Sequence, residues 1–316
     1  MMRREYSVDL YRILLMYGIC LLHTITQGGH QLRGLDNALL SCVDGFVFIS
    51  GYFSMTVEWR KIIRLIFTAI FCLGVSSIVG VALFDFSSQE VMSFFVRRLN
   101  EYWFLWAYIV LMLLSPLLDV RLKKGIGLLI CVYVWSYSTQ IPVVRNLIPK
   151  PMGFGAYGFL TLSAAYLVGR LYAKSEQLFQ NKIPRSFLVI TLILLFAANW
   201  LGFGHYHSPT AIAFVLVSFA LIKGVNLRCG VARVVKIITP SMFAVYLLHT
   251  NIYGFRCISA LEDWLLGLIK MPTYIMYVIT SIVIFVGCII LDIPRRLIIR
   301  KFQDFACELK RLEGET

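Results

Sequence analysis

The sequence predicts an all-α, polytopic integral membrane protein with about ten transmembrane helices and both termini in the cytoplasm. Of its 316 residues, 59% are hydrophobic and 15% are charged, whereas soluble domains typically contain about 25% charged residues. Apolar stretches of about 16 to 23 residues, long enough to cross a bilayer, recur along the chain. Basic residues are concentrated in alternate connections between these stretches. Together these observations exclude a soluble globular fold.

Ten apolar stretches define the predicted spans of a single membrane-embedded domain covering residues 1–316. The fifth and eighth stretches are short, so tilted spans, re-entrant segments and miscounted spans all remain open for them. In chain order, the spans lie near residues 8–27, 39–57, 61–84, 102–119, 125–141, 155–173, 187–203, 209–224, 240–258 and 274–293.

The distribution of positive charge gives the predicted orientation of these spans. With both termini inside, 22 of the 30 Lys and Arg residues fall in cytoplasmic segments, seven fall outside and Arg12 lies within a span. This asymmetry follows the positive-inside rule. The net charge of +13 is therefore attributed to membrane topology, and no nucleic-acid partner is expected.

The first predicted span contains three ionisable residues, Asp9, Arg12 and His23. At 100° per residue, the eleven steps from Arg12 to His23 return to within ~20° of the same helical face, roughly 16 Å further along the axis. Asp9 lies one turn before Arg12, and an ion pair between them accounts for Asp9. A charged stripe facing lipid would be costly, so we expect it to face protein, water or a ligand.

The second predicted span contains Asp44 near its outer end. Because the first helix runs outward and the second returns, His23 and Asp44 are expected at similar depths, about 6 Å and about 7 Å from the outer end. A carboxylate beside an imidazole fixes its tautomer and stabilises the imidazolium that forms when the ring accepts a proton. His23 and Asp44 are therefore predicted catalytic residues, with His23 as general base. The alternative is a packing contact in which each side chain only satisfies the other.

At the inner end, the same geometry places Arg12 near Tyr52 and near the start of the third span, where Arg60 and Arg64 share a helical face. Guanidinium groups bind phosphates through paired donors, so these residues predict a site for a phosphate-bearing ligand from the cytoplasm. A purely topogenic role also fits Arg60 and Arg64. A general base roughly 16 Å away suits a long donor such as coenzyme A, with phosphates at one end and a thioester at the other.

Several further residues have two interpretations each. Ser50 falls within the predicted donor site, although a Ser-Gly pair in a membrane helix is most often a close-packing device. Tyr102 and Trp103 fit either an interfacial aromatic belt or a platform for stacking a sugar ring. Tyr246 and His249 fit either a packing hydrogen bond or a functional pair. The eight cysteines show no CxxC pair or metal-ligand spacing, so no metal is expected.

Four segments of the chain form one ordered pattern. It begins with Asp-Leu-Tyr-Arg at residues 9–12, followed ten residues later by His23. It continues with Val-Asp-Gly-Phe-Val-Phe-Ile-Ser-Gly-Tyr at residues 43–52, Tyr-Trp-Phe-Leu-Trp-Ala-Tyr at 102–108 and Phe-Ala-Val-Tyr-Leu-Leu-His at 243–249. In order and separation this pattern resembles that of the acyltransferase-3 family of integral membrane acyltransferases, over essentially the whole chain.

The resemblance implies a stand-alone O-acetyltransferase of a bacterial-type cytoplasmic membrane. Such an enzyme moves an acyl group, which we expect to be acetyl, from cytoplasmic acetyl-CoA to a hydroxyl of a surface polysaccharide or lipid-linked glycan. By this resemblance His23 is the essential histidine, Arg12 acts at the donor site and Arg64 matches arginines of the third helix. The sequence contains no esterase-like domain of the kind that some members carry. A separate extracytoplasmic transferase or direct transfer is therefore expected, and a homo-oligomer is left open.

Two other functions remain open from the sequence. A flippase or exporter of polysaccharide or lipid-linked glycan also needs polar residues within its helices. Its two halves should show pseudo-symmetry, whereas the intramembrane charge here is concentrated in the first three helices, which favours an enzyme. An acyltransferase-like membrane sensor would bind acetyl-CoA or another ligand without turning it over.

Overall fold

The computed structural model describes residues 5–27, 34–84, 87, 89–90, 102–138, 159–179, 183–204, 208–268 and 272–301. These residues form helices and connections, and no strand occurs among them. The all-α prediction is therefore confirmed for this part of the chain. The tail beyond residue 301 and the ends of the fifth and sixth predicted spans lie outside it.

Twelve α-helices account for most of the described residues. A π-helical turn, Asn199–Phe203, extends α7, and a 3-10 turn, Thr239–Ser241, joins α9 to α10. The helices are α1 Tyr6–Gln27, α2 Leu35–Tyr52, α3 Trp59–Phe84, α4 Trp103–Leu118, α5 Leu122–Ser138, α6 Phe159–Phe179, α7 Arg185–Ala198, α8 Pro209–Ile222, α9 Cys229–Ile238, α10 Met242–His249, α11 Ile252–Leu268 and α12 Thr273–Leu291.

Five of the described helical segments are long and apolar enough to cross a bilayer. Two shorter apolar helices, α4 and α8, accompany them. The count of ten spans with cytoplasmic termini stays a prediction. The five long segments are Tyr6–Gln27, Trp59–Phe84, Arg185–Phe203, Cys229–His249 and Thr273–Lys301.

Two helix ends differ from the predicted span boundaries, which stay predictions. Helix α2 ends at Tyr52, before residue 57, because Ser54 adopts a φ of 60° and donates its N–H to the Gly51 carbonyl at 3.1 Å. The residues of the ninth predicted span, 240–258, do not form one helix, since α10 ends at His249 and α11 begins at Ile252.

Helix α2 packs between α1, α6 and α8 and forms the centre of the bundle. Two glycines allow its backbone to touch that of α6. A Cβ on Gly51 would lie 2.1 Å from the Tyr166 carbonyl oxygen, and a Cβ on Gly169 would lie 2.1 Å from that of Phe48. The interpretation of the Ser-Gly pair as a close-packing device is therefore confirmed, since only glycine permits this approach.

One end of the bundle is strongly basic. Helices α1, α3, α5 and α7 begin there, while α2, α4, α6, α8 and α12 end there. We call this end the basic face, and the positive-inside rule predicts that it is cytoplasmic. Asp119 at the end of α4 binds two of its cations, Arg170 at 2.7 Å and Lys174 at 2.6 Å. These ion pairs hold the end of α4 against α6.

Helix α11 crosses the opposite end of the bundle. Near its start, the Tyr253 ring packs over Gly80 of α3. Further along, Leu265 packs with Ile25 of α1 and Tyr277 of α12. Because of the break before α11, His249, the last residue of α10, lies beneath α11 at the end of the bundle remote from the basic face.

Candidate active site

Two histidines from helices distant in sequence meet near the end remote from the basic face. His23 Nδ1 lies 2.9 Å from His249 Nε2, although the two residues are 226 positions apart. His249 is fully buried, whereas His23 is partly exposed. Phe255 of α11 packs edge-on against the His23 ring, with 5.9 Å between ring centroids. Of the two imidazoles, His23 is thus the one that a ligand can reach.

The backbone carbonyl of Val245 determines which nitrogen carries the proton in each of the two imidazole rings. His249 Nδ1 lies 2.6 Å from the backbone oxygen of Val245, which can only accept a hydrogen bond. In neutral His249 the proton is therefore on Nδ1, and Nε2 accepts the hydrogen bond from His23 Nδ1. This leaves the lone pair of His23 on Nε2. The arrangement fixes the orientation of the His23 ring and gives it one basic nitrogen.

The side chain of Asn251 stabilises the break between α10, which ends at His249, and α11. Its amide nitrogen donates to the carbonyls of residues 247 and 248, both at 2.9 Å, and lies 2.8 Å from Ser76 Oγ on α3. Its amide oxygen accepts from the backbone N–H groups of residues 253 and 254, both at 3.0 Å. One side chain thereby caps the end of α10 and the start of α11, whose backbone groups would otherwise be buried without partners.

Gly254 allows α11 to lie directly against the end of α10. A Cβ at this position would lie 2.4 Å from the Leu248 carbonyl oxygen and 2.7 Å from His249 Cα. Because backbone atoms cannot move aside as a flexible side chain does, we expect Gly254→Ala to shift His249 and to lower the free energy of unfolding by about 1 to 3 kcal/mol.

The measurement is thermal unfolding of the purified protein in detergent. Gly267→Ala is the matched control, because a Cβ on Gly267 of the same helix meets no atom of the described residues within 4 Å. The control should melt at or slightly above the wild-type temperature, since alanine favours helix. If Gly254→Ala and Gly267→Ala melt together, the tight fit at Gly254 is not a constraint on the break.

Arg12 lies on α1 nearer the basic face, roughly 16 Å along the helix from His23. It forms the predicted ion pair with Asp9, at 2.9 Å, which confirms that interpretation of Asp9. Its guanidinium lies 5.6 Å from the centroid of the Phe53 ring and interacts electrostatically with Tyr108. The Tyr108 hydroxyl is 2.9 Å from Ser50 Oγ. Ser50 thus faces the same interior region as Arg12.

Aromatic side chains continue from Tyr108 to the histidine pair. Phe104 stacks on Tyr108 with 5.7 Å between centroids and meets the edge of Tyr246 at 5.5 Å. Tyr246 in turn packs edge-on against His249 at 6.3 Å. Phe104, Tyr108 and Arg12 each keep part of their surface exposed although they pack among the helices. We call the series from Arg12 to His249 the aromatic row.

A cavity of about 930 Å³ opens at the basic face beside the start of this row. Phe53, which lies under Arg12, is one of its walls. Three cations line it, Lys223, Arg233 and Lys236, together with the single carboxylate of Glu5 among the described residues. We call it cavity I. Its remaining lining residues include Tyr6, Ser7, Gly224, Val225, Asn226, Leu227, Cys229 and Ala232.

Comparison with known families decides the classification. The model of the acyltransferase-3 family, described as an acyltransferase domain, matches residues 5–293. The chain belongs to the acyltransferase-3 family. The protein is accordingly a membrane acyltransferase, as the ordered sequence pattern predicted. No curated protein and no solved structure is significantly similar to it.

The structure gives His23 a partner that the sequence analysis did not predict, since the hydrogen bond of His23 Nδ1 joins it to His249. Asp44, which the sequence predicted beside His23, is fully buried in α2. His249 was not anticipated because depth along two consecutive helices says nothing about a third helix that packs against both. A catalytic role for Asp44 itself stays a prediction.

The three arginines predicted to share one site have different surroundings in the structure. Arg60 and Arg64 are exposed at the start of α3, and Arg64 lines a second cavity at the basic face. A donor-binding role for Arg60 and Arg64 stays a prediction. The Tyr52 hydroxyl donates to Glu176 at 2.8 Å, and Lys223 closes the cluster by binding both groups. Tyr52 therefore anchors a cation that lines cavity I.

The aromatic residues at the start of α4 have a structural role that their predicted interpretations missed. Tyr102 is buried, and its hydroxyl donates to the Leu247 carbonyl of α10 at 2.9 Å. It is thus neither an interfacial belt residue nor a stacking platform, but a support for the helix that carries His249. Trp103 is partly exposed and packs edge-on against Phe104 at 5.6 Å. The stacking of a sugar on Trp103 stays a prediction.

The residues of the site that received no role from the sequence include Asn251, Phe104, Tyr108 and Lys223. Asn251 was detectable as a capping residue directly after an apolar run, and Phe104 and Tyr108 fall within the family-like segment 102–108. Lys223 resembled an ordinary topogenic cation. Among the residues that the structure describes, no three His, Cys, Asp or Glu side chains are grouped closely enough to hold a metal ion.

Proposed function

We propose that this acyltransferase moves an acyl group, acetyl in the first instance, from cytoplasmic acyl-CoA to a hydroxyl of a surface polysaccharide or lipid-linked glycan. The observation that carries the proposal is the aromatic row. It joins a cationic cavity at the basic face to a histidine with a defined basic nitrogen near the opposite end. A donor with a charged head and a slender arm fits these two environments.

Cavity I has the chemistry to hold the phosphate end of coenzyme A. Its volume of about 930 Å³ lies within the range of about 300 to 1,000 Å³ typical of small-molecule sites. Lys223 is already paired with Glu176, but Arg233 and Lys236 still exceed the single described lining carboxylate, Glu5, so the cavity favours an anion. Arg12, beyond Phe53, would meet the next polar part of the donor as it enters the bundle.

The aromatic row has the chemistry to accept the arm of the donor. Phe104 and Tyr246 provide apolar walls, while the hydroxyls of Ser50 and Tyr108 provide hydrogen-bond partners for amide groups. Because the row spans the same depth as the helical segment from Arg12 to His23, roughly 16 Å, an arm that follows it would present its thioester at the histidine pair.

His23 supplies the proton chemistry in this proposal. Its Nε2 accepts the proton of the acceptor hydroxyl as that oxygen forms the new ester bond, and returns it to the thiolate as the thioester bond breaks. His249 Nε2 accepts a hydrogen bond from His23 Nδ1 throughout, which stabilises the transient imidazolium. Transfer through an acyl group carried on His23 Nε2 uses the same nitrogen and remains the second route.

The test uses membrane vesicles of both orientations and acetyl-CoA labelled in its acetyl group. Label should enter cell-envelope glycans when acetyl-CoA is supplied to the basic face, and should not when it is supplied to the opposite face. Vesicles that contain the His23→Ala protein provide the background. Rapid acid quenching then shows whether label also appears on the protein, as the second route requires.

Three other outcomes would refute the proposal. Incorporation from the opposite face alone would reverse the proposed donor path. Translocation of glycan without labelling would identify a flippase or exporter. Binding of acetyl-CoA without any transfer, across the available glycans and acyl-CoA donors, would identify a sensor.

A further inference from the structure

A second cavity at the basic face is formed by α3, the turn before α10 and the helical residues 293–301. It has a volume of about 470 Å³ and is separate in its lining from cavity I except for Lys236. We call it cavity II. Its lining combines cations with aliphatic side chains: Arg64, Lys236, Ile237, Pro240, Ile293, Arg295, Arg296, Leu297, Ile299 and Arg300.

Among the described residues, the cations that line cavity II outnumber the carboxylates paired with them. Arg295 is neutralised by Asp292, whose two oxygens lie 2.5 Å from Nε and 2.8 Å from Nη2. Within the part of the chain that the structure describes, Arg64, Lys236, Arg296 and Arg300 form no ion pair. Four like charges around one small cavity repel one another unless an anion lies between them.

Aliphatic side chains at the rim of cavity II are exposed. Ile237 is 54% exposed, Ile293 40% and Leu297 55%. In a protein that crosses a bilayer, such side chains at a helix end are covered by lipid chains. Cations and exposed aliphatic groups thus share one site at the depth where phospholipid head groups meet their acyl chains.

We propose that cavity II binds an anionic phospholipid of the cytoplasmic leaflet. Arg64, Lys236 and Arg300 contact the phosphate, and Ile237, Ile293 and Leu297 contact the acyl chains. The exposed aliphatic rim favours a lipid over the phosphate end of coenzyme A, which has no acyl chain to cover that rim. Apart from Lys236, which lines both cavities, the site is separate from the donor path, and the proposal does not depend on the acyl-transfer reaction.

Hydrogen bonds connect the lining of cavity II to the turn that precedes α10. Arg295 donates to the Pro240 carbonyl and to Thr68 Oγ1 on α3, both at 3.3 Å. Arg296 donates to the Ile237 carbonyl at 2.5 Å and to Ser241 Oγ at 3.3 Å. Both arginines thus hold the turn from which α10 begins. A bound phospholipid would reinforce this region and raise the thermal stability of the whole bundle.

The test compares two double variants that remove equal charge from the same two helical segments. Arg64→Gln/Arg300→Gln removes cations that line cavity II, whereas Arg60→Gln/Lys301→Gln removes exposed neighbours that do not line it. Detergent-purified proteins are titrated with phosphatidylglycerol, phosphatidylcholine, inorganic phosphate or coenzyme A. Bound lipid is counted by native mass spectrometry, and melting temperature is followed in parallel.

Phosphatidylglycerol should bind the wild-type protein and raise its melting temperature more than phosphatidylcholine does. Its affinity should fall by about tenfold or more in Arg64→Gln/Arg300→Gln, and by much less in Arg60→Gln/Lys301→Gln. Equal affinity in the two variants would overturn the assignment to cavity II. Displacement of phosphatidylglycerol by micromolar phosphate or coenzyme A would show that a soluble phosphate ligand, and not a lipid, occupies the cavity.

Discussion

Replacing His23 by alanine is expected to abolish acyl transfer while the protein remains membrane-inserted at normal levels. The substitution removes the Nε2 lone pair, which is the basic nitrogen of the histidine pair and the one that a substrate can reach. Insertion should be unaffected, because His23 is partly exposed and its main contact is one hydrogen bond. General-base catalysis commonly contributes about 10²- to 10⁴-fold to a rate, so the residual rate should lie at or near background.

The measurement is incorporation of labelled acetyl groups, normalised to the amount of folded protein from size-exclusion profiles and melting curves. Thr26→Ala is the control, since Thr26 is exposed one turn further along α1 and only its hydroxyl contacts the His23 backbone. Added imidazole should restore part of the activity of His23→Ala if the ring acts as a base. Full activity of His23→Ala would disprove the assignment of His23.

Replacing His249 by leucine is expected to lower kcat by about 100-fold. Leucine fills a similar volume but cannot accept a hydrogen bond, so His23 Nδ1 loses the group that fixes its tautomer and stabilises its protonated form. His249→Gln provides the informative comparison. Its amide oxygen can accept from His23 while its NH₂ group donates to the Val245 carbonyl, so it should retain activity within about tenfold of wild type.

Steady-state kinetics of the two His249 variants distinguish positioning from packing. A positioning role predicts a lower kcat with little change in KM for the acyl donor, and recovery in the glutamine variant. A packing role predicts equal losses in both variants together with lower melting temperatures. The double variant His23→Ala/His249→Leu should be no less active than His23→Ala alone, because both residues act through one nitrogen.

Much of the fold could be predicted from the sequence because it depends on local patterns. Apolar runs of membrane-spanning length predicted helices at the positions of α1, α3, α4, α8 and α12 to within a few residues. The ion pair of Asp9 with Arg12 follows from their spacing of three residues, which places them on one helical face. The Ser-Gly pair of α2 indicated close packing for a similarly local reason.

Interactions between distant segments could not be predicted in the same way. Helix periodicity predicts which residues share a face, but not which other helix packs against that face. The sequence alone was therefore consistent with a site that Arg64 shares with Arg12. In the structure, α3 packs against residues 293–301 and Arg64 lines cavity II. The amphipathic helix α9 and the crossing helix α11 were missed, since neither is a separate apolar run of spanning length.

The sequence by itself determined that the protein is helical and membrane-embedded, that its pattern is that of an acyltransferase, and that His23 and Arg12 lie at two depths of one helix. The tertiary structure decided that His249 is the partner of His23 and that an aromatic row lies between the two depths. The reason is physical. Spacing along a helix is fixed by its backbone hydrogen bonds, whereas the break at Asn251 that delivers His249 depends on capping and packing among residues far apart in the chain.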